Sequence, residues 1–289
     1  MKILITGANG MLAKAVIKKF EKENELILTD VDTLDITSLQ EVVNLVCETN
    51  PDCIINCAAY TEVDHAEDKN ELEKVEKINA TGPLNLATIC KVKNMILVHV
   101  STDYVFGGDL SLDKEYSEED EKNPVTVYGI TKLHGEENIK KVLDKYYIFR
   151  TAWLYGDGKN FVRTMLNLGE KYDKIDVVSD QYGSPTYTED LANYIYEAVT
   201  KQIPYGVYNA TNEGNISWYE FTKEIFRQAN IDCKVNPVTT EEYIKMKKIV
   251  QAQRPYNSQL SKEKLKSAGI EVPQWEESLN KYLKLERKM

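Results

Sequence analysis

The amino-terminal run Lys2-Ile3-Leu4-Ile5-Thr6, followed at once by Gly7-Ala8-Asn9-Gly10-Met11-Leu12-Ala13, constrains this chain more than any other segment. The first stretch is short, apolar and β-prone. Beyond the glycines, Leu12, Ala13, Val16, Ile17 and Phe20 recur at helical spacing. Strand, glycine turn and helix are the context in which free N–H groups at a helix start hold a dinucleotide pyrophosphate. Gly7 permits the tight turn and Gly10 lets the backbone approach the anion. Ala13 stands where the helix must pack closely on the strand. The spacing is G-x-x-G-x-x-A, not the usual G-x-G-x-x-G, and an ordinary βα turn also uses glycine freely.

The next strand supplies a second sign. Glu25-Leu26-Ile27-Leu28-Thr29 ends in Asp30, an acidic residue placed to accept from adenosine ribose hydroxyls and to repel a 2′-phosphate. Asp30 therefore favours NADH over NADPH. Strands and helices then alternate, as in βαβ units. Asp35–Ser38 reads as a cap before a helix through Cys47, and Cys53–Cys57 as a central strand. Glu67–Lys77 reads as one charged helix and Asn79–Val92 as another. Tyr146–Arg150 and Ile175–Val178 read as further strands, and the charged stretch Ser111–Asn123 as a mobile surface loop near the site. The fold class is α/β: a Rossmann doubly wound parallel sheet with a smaller C-terminal α/β substrate-binding region. The dinucleotide-binding part spans 1–155 with parts of 175–200. The remainder of 156–289, mainly 230–289, forms the substrate part.

Tyr128 and Lys132 stand four residues apart, about one helical turn, so both side chains project from one helix face. An ammonium beside a phenol lowers the phenol pKa from its ordinary value near ~10, giving a proton donor for an oxygen whose carbon receives a hydride. With 18 tyrosines in the chain, such a pair also arises by chance. A third group tips the balance. Met95–Val100 is a buried-strand pattern running into Ser101-Thr102-Asp103-Tyr104-Val105-Phe106, which places Thr102 at a strand's carboxyl end, where open parallel sheets bind ligands.

These residues resemble the extended short-chain dehydrogenase/reductase superfamily and, within it, the dTDP-4-dehydrorhamnose reductase family. The resemblance runs nearly end to end. It includes Asn50–Asp64, Asn79–Pro83, Arg150–Gly156, Asp180–Thr186, Ser217–Phe221 and Arg254–Ser258. It implies reduction of the C4 keto group of dTDP-4-dehydro-β-L-rhamnose with NADH or NADPH. Gly10, Met11 and Leu12 would lie at the pyrophosphate, and Asp35 and Ile36 at the adenine. Ala58, Ala59, Tyr60 and Val100 would line the cofactor. Thr102 and Tyr128 would bond the carbonyl oxygen, with Lys132 on the nicotinamide ribose. Asp103 and Trp153 would touch the sugar, the indole packing on its apolar face. Arg254 and Lys159 are basic candidates for the substrate diphosphate.

Neighbouring activities are weighed on the same residues. A related 4,6-dehydratase carries Asp-Glu after the threonine, whereas this chain has Asp103-Tyr104. Another nucleotide-sugar 4-ketoreductase or epimerase remains an alternative. So does a non-catalytic regulatory subunit of the kind that associates with methionine adenosyltransferase. Hydrophobic content of 42% suits a globular enzyme, and a net charge of −10 argues against nucleic acid or anionic membrane as partner. Five cysteines without paired spacing, three scattered histidines and no leader or spanning segment lead to free thiols, no metal site and a cytoplasmic location. Some reductases of the family are dimers bridged by Mg²⁺ through glutamates, one of them early in the first helix. Here Lys14-Ala15-Val16-Ile17 offers no carboxylate. No metal bridge is expected, and a homodimer stays open.

Overall fold

The computed structural model describes residues 1–247 and 251–286. Within them the strands β1 (Lys2–Thr6), β2 (Glu25–Thr29), β3 (Cys53–Asn56), β4 (Ile96–Thr102), β5 (Tyr146–Thr151) and β6 (Gly206–Asn209) bond into one sheet. Its order is β2-β1-β3-β4-β5-β6, and every neighbouring pair is parallel. Successive strand side chains point to opposite faces, so a strand buried on both must be apolar throughout. Ile3 and Ile5 face helices α1 (Met11–Phe20) and α5 (Thr188–Lys201), packing with Val16, Phe20, Leu191 and Ile195. Leu4, Ile54, Leu97 and Ile148 face the other way, onto α2 (Leu39–Thr49), α3 (Gly82–Lys93) and α4 (Val127–Val142). Helix α2 begins where expected, with the Ser38 hydroxyl accepting from the Glu41 N–H. The chain leaves β1 for β2 on one side and reaches β3 on the other. A crevice therefore opens at the carboxyl ends of these strands.

A second apolar core forms the smaller region. Tyr155, Tyr187, Phe221, Ile225, Trp275 and Leu279 gather there. Short strands stitch it together: Tyr182–Gly183 lies between Ile216–Ser217 and Asn257–Ser258, and Leu154–Tyr155 pairs with Thr186–Tyr187.

Three sequence expectations change. The strand Lys174–Val178 does not join the main sheet but pairs with Lys234–Val238, and the sixth main strand is Gly206–Asn209. The expected helix Glu67–Lys77 is broken into a 3₁₀ turn (His65–Glu67) and a short helix (Leu72–Glu76), and a π turn (Lys77–Thr81) leads into α3. The Ser111–Asn123 stretch is fastened rather than free. Tyr116 stacks on Phe106 with ring centroids 4.4 Å apart, the buried Glu118 accepts from the Asn209 N–H, and Asn257 donates to the Leu110, Ser111 and Lys114 carbonyls. No described helix is long and apolar enough to cross a membrane.

Candidate active site

A cleft of about 1420 Å³ runs along the carboxyl ends of the strands. Its first wall is the turn after β1. Gly7 has φ +65°, and an added Cβ would stand 2.8 Å from the Ala58 backbone nitrogen, so only glycine lets β1 and the β3 exit approach this closely. Gly10 caps α1 without a side-chain bond, and the first turn carries no carboxylate. The earliest intrahelical bond is Lys14 N–H to the Gly10 carbonyl, 3.1 Å, which leaves the N–H groups of Met11, Leu12 and Ala13 ahead of it. These donors point an unopposed positive end at the cleft, and an anion fits there. Asp30 lines the same wall, its carboxylate held by the Asn9 and Val31 N–H groups at 2.8 Å each. Asp35, Ile36, Ala58, Ala59, Val100 and Lys159 also face the cleft.

The reactive end lies where β4 meets α4. Thr126 caps α4 by accepting from the Gly129 N–H at 3.0 Å. A Cβ at Gly129 would collide with the Tyr104 carbonyl, so glycine here brings Tyr128 against the end of β4. The Tyr104 ring meets Tyr128 edge-on at 5.5 Å and fixes its tilt. Thr102 and Tyr128 line this end of the cleft together. The Thr102 proton goes to Asp103 Oδ1 at 2.9 Å, while its oxygen accepts from the Tyr104 N–H at 3.2 Å. Asp103 is buried, and burial pushes its carboxyl up to about 6 against the pull of Ser258 and Thr102.

Lys132 lies one turn beyond Tyr128 and donates to the Val100 carbonyl at 2.6 Å, with His99 Nε2 3.3 Å away. Burial brings the ammonium down to about 8, opposed by Glu136 and Cys57. His99 is pushed well down by burial and by Lys132, so its ring is neutral. Behind them, burial works to raise the Glu136 carboxyl, but Arg150, 2.7 Å away, and Ser101 hold it below the usual range. The expected effect of Lys132 on the phenol is not what this geometry gives. Burial holds the Tyr128 pKa up, with Thr102 pulling the other way, while Lys132 gives one of its three donors to Val100. Tyr128 is therefore a fully protonated donor at neutral pH.

Two expected residues fall outside the cleft. Tyr60 is buried away from it, its hydroxyl bonded to His65 Nδ1 (2.9 Å) and Glu71 (3.2 Å). Arg254 lines a second chamber of about 740 Å³ and forms a two-pronged pair with Asp64 at 2.7 and 2.8 Å. Asp103, Tyr104 and Trp153 line both chambers and so mark where they join. Trp153 holds φ +50°, unusual for a bulky residue, and its indole stacks on Trp218 at 3.5 Å. That stack, not an open face, is what the second chamber presents. Trp218 lies in one of the segments that carry the resemblance, but only the folded lobe brings it to Trp153. Ser258 likewise lies in such a segment, and only the fold shows its hydroxyl donating to Asp103 Oδ2 at 2.5 Å.

A parallel Rossmann sheet carrying a Tyr-x-x-x-Lys pair beside a strand-end threonine defines an extended short-chain dehydrogenase/reductase. The RmlD substrate binding domain family matches residues 1–287, and the chain belongs to that family. It is 39% identical over 286 residues to the spore coat polysaccharide biosynthesis protein SpsK of Bacillus subtilis, covering 98% of this chain and 96% of that protein. A solved dTDP-4-dehydrorhamnose reductase from Clostridium acetobutylicum is 45% identical and superposes with a TM-score of 0.94, covering 99% of this chain and 100% of that one. The Bacillus anthracis dTDP-4-dehydrorhamnose reductase, solved with NADP, is 40% identical with a TM-score of 0.92, covering 98% and 99%.

Proposed function

We propose that this protein reduces the C4 keto group of dTDP-4-dehydro-β-L-rhamnose to dTDP-L-rhamnose, in the cytoplasm. One observation carries the reading. Thr102 and the protonated Tyr128 sit beside the junction of two chambers, so a ketone held there meets a phenol while cofactor and nucleotide sugar enter from separate sides. The names borne by the Clostridium and Bacillus anthracis relatives support it.

The α1 start, with its free N–H groups and the Gly7 cradle, fits a dinucleotide pyrophosphate. When bound, the reduced nicotinamide supplies a hydride. Tyr128 delivers its proton to the C4 oxygen, which becomes a far stronger base than a phenolate. Thr102 lies beside that phenol at the strand end, and the Lys132 ammonium binds the nicotinamide ribose. Asp30 accepts from the adenosine ribose hydroxyls, which makes NADH the preferred donor here although the Bacillus anthracis relative was solved with NADP. Arg254 guards the second chamber, where exchanging Asp64 for the substrate diphosphate keeps its charge paired. Trp153 and Trp218 wall that chamber. Tyr104 stands where a dehydratase has its elimination base, its hydroxyl accepting from Arg254 at 3.3 Å, so elimination lacks a carboxylate.

The test is cofactor oxidation with a panel of 4-keto nucleotide sugars. The dTDP-4-dehydro sugar should be reduced fastest. Absence of turnover with every member would contradict the reading and favour a regulatory, non-catalytic role.

A further inference from the structure

Beneath the cleft runs a chain of hydrogen bonds whose polarity can be read from one fixed end. The Ala58 N–H, just beyond β3, donates to Asn56 Oδ1 at 3.2 Å, and the Thr6 hydroxyl donates to the same oxygen at 2.6 Å. A backbone N–H can only donate, so the Asn56 amide turns its oxygen to Ala58 and its nitrogen away. That nitrogen stands 3.0 Å from His99 Nδ1. Nδ1 must therefore present a lone pair. The His99 ring is neutral and carries one hydrogen, which falls on Nε2. Nε2 lies 3.3 Å from Lys132 Nζ. Thr6, Asn56, His99 and Lys132 are all buried, so each polar atom must find its partner within the chain or a bound ligand.

An ammonium has three donors and no lone pair, whereas an amine has one lone pair. Facing the His99 Nε2–H, the ammonium makes a donor-to-donor contact and the amine makes a hydrogen bond. Among the described residues the charged Lys132 thus has a single acceptor, the Val100 carbonyl at 2.6 Å. Lys132 lines the strand-end cleft, so its two other hydrogens are left for hydroxyl oxygens that enter there.

We propose that His99 is a positioning residue: Asn56 fixes its ring with the hydrogen on Nε2, which withholds an acceptor from the Lys132 ammonium and reserves that ammonium for the ribose hydroxyls of the cofactor. This rests on the assignment of Lys132 to the nicotinamide ribose given above. His99 favours the amine, and ribose oxygens favour the ammonium. Cofactor binding is therefore coupled to proton uptake once the pH passes the Lys132 value of about 8. The titratable and charged groups facing Lys132 are Tyr128 and Glu136 on α4, Cys57 beyond β3 and His99 on β4, with Arg150 of β5 holding Glu136. Burial pushes the Cys57 thiol up to about 12 and Tyr128 above its ordinary value, while Glu136 is held low and His99 stays neutral. Lys132 is thus the group that titrates in this window.

The test uses the full chain and begins without cofactor. Nitrogen NMR of the wild-type imidazoles should show His99 protonated on Nε2 and bare on Nδ1, its signals identified by their loss in His99→Gln. The Lys132 titration, followed by NMR, should move up by about one pH unit in His99→Gln, whose amide oxygen can turn to accept from the ammonium; that is the scale of one hydrogen bond. The dissociation constant of the reduced cofactor, read by fluorescence, should be about tenfold weaker at pH 9 than at pH 7 in the wild type and about twofold weaker in the variant. Lys132→Met should lose this dependence. A merely structural His99 would change affinity equally at both pH values. A ring protonated on Nδ1, an unmoved Lys132 titration in the variant, or a wild-type affinity that ignores pH would overturn the positioning role and leave the reductase reading intact. A protein that binds no reduced cofactor at any pH would sink the reductase reading, while the ring hydrogen and the Lys132 titration still decide the role of His99. Should His99→Gln fail to fold in thermal unfolding, His99→Asn, which keeps an acceptor beside Asn56 and removes the Nε2–H, takes its place, with the Lys132 titration again expected to rise.

Discussion

The strand-end cleft and the second chamber are built by different rules. The cleft takes its groups from the ends of successive strands: Gly7 after β1, Asp30 after β2, Ala58 after β3 and Thr102 at the end of β4. Each strand and its exit are encoded by neighbouring residues, and sheet topology alone brings the four exits together. The second chamber draws on Trp153, the Phe161–Lys171 helix with Tyr172 beyond it, the Lys174–Gln181 stretch, Trp218 and the Arg254–Ser258 segment. Those pieces meet only because a separate aromatic core packs them. Chemistry that every member of a superfamily needs can sit on the repeated units, while recognition of one substrate can be rebuilt in the lobe without disturbing the sheet.

The largest effect that would sharpen this division is at the junction. Tyr128→Phe should lower kcat by about 10²–10⁴, the range of general acid catalysis, with the cofactor dissociation constant nearly unchanged. A variant that kept its turnover would remove Tyr128 as the acid. On the cleft side, Gly7→Ala forces a Cβ against the Ala58 backbone, at a cost of about 1–3 kcal/mol, so cofactor affinity and thermal midpoint should both fall. Sugar binding measured in the absence of cofactor should change little. If it falls as steeply, the two regions are not separable.

Lys132 gives a pH signature. Its pKa is about 8 in the fold against an ordinary 10.5, so between those values the unfolded chain holds a proton that the folded chain has released. Stability from this group therefore rises with pH across the window from about 8 to 10.5 and is constant below it. Denaturant midpoints of the wild type and Lys132→Met should converge as pH rises through that range. Parallel curves would mean Lys132 titrates normally.

On the substrate side, Trp218→Ala removes the partner of the Trp153 indole, a contact worth about 0.5–1.5 kcal/mol, and should raise the sugar KM roughly two- to tenfold while cofactor affinity holds. The smallest expected change is at Asp30. Asp30→Ala should narrow the NADH preference, read as the ratio of kcat/KM for the two cofactors, and an unchanged ratio would mean that Asp30 does not discriminate.

Legibility followed the same division. The first strand, the glycine turn and the cap at Ser38 were readable because local residues dictate them. The strand Lys174–Val178 carries the right residues for a Rossmann strand, yet its partner, Lys234–Val238, lies some sixty residues away, and no local pattern announces that pairing. Gly206–Asn209, short and polar at its end, passes for a loop until β5 is seen to need a neighbour. Arg254 stands out by its charge, but the anion it meets is Asp64, from the other part of the chain. The Lys132–Tyr128 spacing gave the shared helix face. It could not give the depth of burial, which sets the phenol pKa.

Reduction of the carbonyl carbon at sugar position 4, at the chamber junction, can be observed directly. Reduced nicotinamide deuterated at its transferable position, given to the wild-type protein with dTDP-4-dehydro-β-L-rhamnose, should place one deuterium on C4 of a dTDP-L-rhamnose product and leave oxidised cofactor in equal amount. Deuterium found on another sugar carbon, or retained on the cofactor while the sugar is interconverted, would contradict it.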